Sequence, residues 1–146
     1  MKPQDGALTR VLVGYFGLAQ AAHFGLLVRA AVPYLRSGEM PFPALPPEGG
    51  WSQQAEMIWV GMGLVDALFI LVSLVFVYGY FAGPGWQRQL GLVSLTGMVY
   101  SAALFGVGTL LNGAWAAHPL AYLFLALAFA PVGLLFGVFA TYRAVK

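Results

Sequence analysis

Three side chains in this sequence combine acid/base chemistry with a spacing that lets them meet: His23, Asp66 and Tyr100. An imidazole, a carboxyl and a phenol can each give or accept a proton, so the set suits general acid/base catalysis or hydrogen-bonded recognition of a polar group. Each lies within a long apolar stretch. An ionisable group at the centre of a membrane helix costs about 2.5–3.5 kcal/mol or more, and as a rule it faces a protein interior or a cavity. Counted at ~1.5 Å per helical residue, Asp66 lies about 15 Å below Glu56, and His23 a similar depth below Pro33. Tyr100 precedes Leu111 by almost the same number of residues. Helices of alternating direction would therefore bring the three to one level.

Other residues join them by helical spacing. Gln20 is one turn from His23 on the same face, and Trp59, Asp66 and Ser73 share a face of their own. Thr96 stands one turn before Tyr100. Trp59 and Phe69 offer aromatic faces that stabilise a passing cation. Pro131 removes a backbone hydrogen bond inside its helix, leaves the carbonyl of Leu127 free and opens space. The candidate acid/base residues are thus Asp66, His23 and Tyr100, and the candidate ligand contacts are Gln20, Trp59, Phe69, Ser73, Thr96 and Pro131. Three readings of this layer stay open: hydrogen-bonding glue between helices, the polar floor of a ligand pocket, and a proton or ion path.

Several chemistries are disfavoured. There is no Cys, hence no thiolate metal site, disulfide or cysteine nucleophile. No phosphate-binding glycine loop, zinc spacing or hydrolase elbow is present. His118 falls in a loop while His23 is deep, which argues against bis-histidine haem. No metal, cofactor or nucleic-acid partner is expected. Arg29 and Glu56 lie near a helix end, where they can snorkel and pair with each other.

The elements that position these residues follow from composition. The chain has 146 residues, 60% hydrophobic and 8% charged, whereas soluble domains carry about a quarter charged residues. Four apolar blocks, 8–32, 57–82, 90–111 and 119–141, each reach the roughly 20 residues needed to cross a bilayer. The fold expected is an all-α, integral membrane four-helix bundle. Ala19-Gln20-Ala21 mimics a leader-cleavage site, but the apolar run continues to Val32, so a first spanning helix is expected instead. Lys2, Arg10, Arg88, Arg143 and Lys146 fall on one side of such a bundle. The positive-inside rule then places both termini in the cytoplasm. Trp51, Trp59, Trp86 and Trp115 sit near helix ends, as an aromatic belt requires.

The connections differ in length. Gly83-Pro84-Gly85 predicts a tight inner turn, and Asn112-Gly113 a short outer one before Pro119 opens the last helix. The long outer loop, 33–55, holds five prolines, which favour extended polyproline II backbone. It reads as a lid over the bundle or as a surface connector. Small residues mark close contacts between membrane helices. They run as Gly14, Gly17, Ala21 and Gly25 in the first helix and Ser94, Gly97, Ser101 and Gly108 in the third. In the fourth they are Ala126, Ala130, Gly133, Gly137 and Ala140. These stripes predict a compact bundle, a homodimer or a place in a larger membrane complex.

The stretches YFGLAQAAHFGLLVRAAVP from Tyr15, GLVSLTGMVYSAALF from Gly91 and HPLAYLF from His118 resemble the emopamil-binding family (the EXPERA domain), as does Ala130-Pro131. The family includes a sterol Δ8–Δ7 isomerase and the sigma-2 receptor. Where the isomerase carries a His and a Glu on its first helix, this chain has Ala19 and His23. Two acids of the family's pattern fall at Leu27 and Ala102, and Asp66 stands near a third. The resemblance implies a membrane pocket for a sterol- or isoprenoid-type lipid, with double-bond isomerisation by proton transfer as its enzymatic form. The alternative is a non-catalytic accessory or scaffold subunit.

Overall fold

The structure, a computed structural model, describes residues 6–83 and 86–141. The turn at Pro84-Gly85 and the charges Lys2, Arg143 and Lys146 lie outside them. The described chain is all-helical: α1 (Ala7–Ser37), α2 (Gln53–Ala82), α3 (Gln87–Leu111), a single turn α4 (Ala114–Ala117) and α5 (Pro119–Thr141). The four long helices are apolar enough to cross a membrane. At ~1.5 Å per residue they measure about 35–46 Å, against about 30 Å of hydrocarbon. By length and hydropathy this is a multi-pass membrane protein. Its outer faces carry Leu18, Leu35, Leu64, Leu120 and many other large apolar side chains, all exposed. A water-soluble surface avoids such a continuous apolar coat.

Two helices exceed their apolar blocks. α1 continues through Pro33 and stops at Gly38, whose left-handed backbone (φ 73°) returns its N–H to the carbonyl of Tyr34. α2 starts a turn earlier than its apolar run because the Ser52 hydroxyl accepts the N–H of Ala55.

The long helices pack as a ring, α1 on α2, α2 on α3, α3 on α5 and α5 on α1, and across it the rings of Phe76 and Phe139 meet edge to face at 5.4 Å. The α2–α3 seam explains the small residues of α3. Trp59 covers Gly108, Phe69 covers Gly97 and Phe76 covers Gly91. A methyl group on Gly108 or Gly91 would lie 2.5 or 2.7 Å from the facing ring, and one on Gly97 closer still. Large knobs on one helix thus fill glycine gaps on the other, in strict antiparallel register. Gly17 likewise receives Val77 across the α1–α2 seam. The α5 stripe behaves differently. Nothing lies within 4 Å of a Cβ built on Gly133 or Gly137, so these two glycines make no close contact inside the chain and the expected role in bundle packing is corrected.

Side chains sort by height. At the end where α1 begins and α5 ends, Leu12, Phe16, Phe76, Leu95, Leu135 and Phe139 form a dry core. At the opposite end the rings of Trp51, Trp59, Phe105, Tyr122 and Trp115 follow one another in contact. The long loop folds down on this aromatic end. The Tyr122 hydroxyl donates to the carbonyl of Leu45 at 2.6 Å and the Trp51 indole to that of Ala44 at 2.9 Å. Turns at Pro41–Ala44 and Pro47–Gly50 make the loop compact, where its prolines had suggested an extended path.

Candidate functional site

Between the apolar core and the aromatic end lies a polar level built by α1, α2 and α3. Asp66 is its centre. The Ser101 hydroxyl donates to Asp66 Oδ1 at 2.6 Å, a length typical of a bond to a charged acceptor. His23 Nε2 stands 4.0 Å from Oδ2, with side chains 27% (His23) and 13% (Asp66) exposed. That separation exceeds any direct hydrogen bond. A water or ligand oxygen lying to one side of the line between imidazole and carboxyl could bond to both. Each of the three residues falls within about one turn of its helix's midpoint, deep in any bilayer the helices cross.

Gln20 is buried, and its Oε1 has no hydrogen-bond partner. A buried, unpaired amide oxygen costs about 1–3 kcal/mol, so this acceptor adds to the hydrogen-bonding capacity of the level one turn from His23. The neighbourhood therefore offers a carboxylate with free lone pairs, an imidazole able to donate or accept, and an amide acceptor. That inventory suits binding of a hydroxyl or amine. It also contains an acid/base pair.

The structure does not bring Tyr100 to this level's interior. Its side chain is 64% exposed on the outside of α3, because one helical residue turns the chain by about 100° and Ser101, the next residue, takes the inward direction. Tyr100 instead shares an open lateral groove of about 420 Å³ with Phe69, Leu92, Val93, Thr96 and Gly97. Three sequence candidates, Phe69, Thr96 and Tyr100, thus meet, but on the outer face of the α2–α3 seam. Trp59 is buried two turns from Asp66 within the aromatic end, its Nε1 without a partner. Ser73 is buried but bonds back to the Phe69 carbonyl at 2.7 Å, so its proton is engaged within α2. Pro131 stands on α5, away from the three helices that form the level. Beside it the Tyr15 hydroxyl donates to the carbonyl of Ala128, joining α1 to α5 where the proline interrupts the backbone ladder.

Ser101 is the functional candidate that sequence reasoning missed. It stood within the small-residue stripe of α3, where its size was noticed and its hydroxyl was not. Arg29 and Glu56 do not form the expected ion pair. Arg29 lines a second pocket, about 340 Å³, under Pro41 and Phe42 of the loop. Among the described residues no cluster fit to hold a metal occurs. No known protein family, characterised protein or solved structure matches the chain.

Proposed function

We propose that the protein binds, within the bilayer, one hydrophobic molecule of sterol or isoprenoid type, and that its small polar group sits between His23 and Asp66. The 4.0 Å separation of Nε2 and Oδ2 carries this reading: it is too wide for the two residues to bond to each other, and both atoms stay within reach of one oxygen or nitrogen placed beside them. The orphaned Gln20 oxygen one turn away supports it. The EXPERA-like stretches point to the same ligand class, and the catalytic form would be a double-bond isomerisation in which one member of the pair protonates an alkene carbon and the other removes a proton from a neighbouring carbon. Both termini lie in the cytoplasm on this reading, with the long loop outside.

Reconstituted protein should be photolabelled saturably by a diazirine cholesterol or farnesol analogue, and the unlabelled parent should compete. Asp66→Asn keeps the shape and removes the charge. It should fold and weaken labelling about tenfold or more, given roughly 1.5–3 kcal/mol for a hydrogen bond to a charged group. Full labelling of a less stable Asp66→Asn protein would reduce the level to interhelical glue.

One observation favours a second reading, the accessory subunit. Gly133 and Gly137, with Ala126 and Ala130, leave a smooth strip on α5 that this chain does not fill. A partner helix seated there would shield Gly133→Cys from thiol reagents in native membranes and expose it after purification.

A further inference from the structure

The lateral groove on α2–α3 has an unusual hydrogen-bonding state. Thr96 and Tyr100 are one helical turn apart on α3, both exposed, and both line the groove. Neither hydroxyl has a hydrogen-bond partner among the described residues. The hydroxyls of Ser73, Thr109 and Thr141 bond back to their own helix at 2.7 Å. Thr96 does not. Both residues lie within about 5 Å of the midpoint of α3. The headgroups are then about 10–15 Å away, beyond the reach of either side chain. Lipid tails offer no partner, and an unpaired hydroxyl in hydrocarbon is costly. The walls are apolar, with the Phe69 ring seated over Gly97 at the floor, and the groove opens broadly to the side of the bundle.

We infer that this groove binds a long-chain quinone or ketone dissolved in the membrane interior, its carbonyl oxygen accepting hydrogen bonds from Thr96 and Tyr100. Depth selects the ligand. Phospholipids carry charges that hold their polar ends at the interface, and a sterol hydroxyl leaves it only for strong acceptors such as the Asp66 carboxyl and the Gln20 amide oxygen of the interior level, which this groove lacks. A carbonyl compound without donors enters hydrocarbon at far lower cost, and it presents the acceptor that two unpaired donors need. Phe69 and Tyr100 add aromatic faces for a planar ring. The inference rests on this groove alone and is independent of the level around Asp66.

The test uses the full chain in nanodiscs and a benzoquinone bearing a decyl tail. Wild type should take up the quinone saturably over empty discs, with its carbonyl stretching band moved to lower frequency, and cholesterol should not compete. The double variant Thr96→Val, Tyr100→Phe changes only outward-facing polar atoms. It should keep its thermal stability, lose the band shift and bind about tenfold more weakly, as expected for two lost hydrogen bonds. Asp66→Asn should bind like wild type. Unsaturable uptake by wild type would overturn the inference, as would an unchanged affinity and band in the double variant. Loss of binding in Asp66→Asn with retention in the double variant would assign the quinone to the interior level instead. The chain lacks Cys, so Thr96→Cys reports unambiguously on the remaining occupant: disulfide-linked dimers in native membranes would place a second copy in the groove and overturn the ligand.

Discussion

Gly97 and Gly133 are the same residue in similar apolar helices, yet the same substitution acts on them in opposite directions. A methyl group at Gly97 runs into the Phe69 ring, while one at Gly133 meets nothing within 4 Å. Gly97→Ala should lower stability by about 1–3 kcal/mol, the usual range for overpacking. Gly133→Ala should raise it by up to about 1 kcal/mol through helix propensity. Unfolding in mixed micelles measures both, and an unharmed Gly97→Ala would show that the ring is not seated on the glycine. Ser101→Ala should in turn lower stability by about 1–3 kcal/mol, because it leaves a buried carboxylate oxygen without its donor. The depth of Asp66 and His23 was legible in the sequence, since height along a helix is a linear count. Direction around the helix was harder to read. α3 is apolar on all sides, so hydropathy does not reveal which face turns inward, and Tyr100 was expected where Ser101 stands. The small-residue stripe through Ser94, Gly97 and Ser101 held that information, because residues that admit a neighbouring ring must face the seam.

At the scale of elements, boundaries followed capping chemistry more closely than hydropathy. Pro33 suggested the end of α1, but the helix runs through it, giving up the backbone hydrogen bond to the Arg29 carbonyl, and stops further on. That stop is Gly38, whose positive φ suits glycine alone among common residues. The long loop shows the same balance. Its prolines set local stiffness, while its path is fixed by two side chains that the loop sequence alone does not name as partners. Tyr122 reaches Leu45 from α5, and Trp51 reaches back to Ala44. Removing one of them should loosen the loop without melting the bundle. Tyr122→Phe retains the ring stacked on Trp115 and loses only the hydroxyl. Amide exchange should therefore rise severalfold in residues 41–50 and stay unchanged in α2 and α3. Faster exchange throughout α5 and α3 would instead mean that this hydrogen bond holds the bundle end together.

The whole molecule is a ring of antiparallel helices with a dry core at one end, aromatic rings under a folded loop at the other, and a polar level between them. The aromatic end matches one interface of a bilayer, and the polar level falls at mid-depth, where the solvent itself offers it nothing. Rings with polar edges suit the headgroup boundary, and ionisable groups at mid-depth require protein around them. The ring of helices places the 6–8 and 139–141 ends with the α2–α3 turn, and the long loop with α4 on the far side. Which of these sides faces the cytoplasm depends on charge. Lys2, Arg10, Arg88, Arg143 and Lys146 gather at the terminal side, against Arg29 and Arg36 on the loop side. The absence of Cys permits a direct determination. Glu48 is exposed in the long loop and Arg88 stands at the start of α3. A membrane-impermeant maleimide applied to intact cells should label Glu48→Cys and leave Arg88→Cys unmodified until the membrane is permeabilised. The reverse pattern would invert the protein and place the loop inside. Labelling of both from outside would break the four-span topology itself, because an even number of crossings would then lie between the two positions in place of the single crossing by α2.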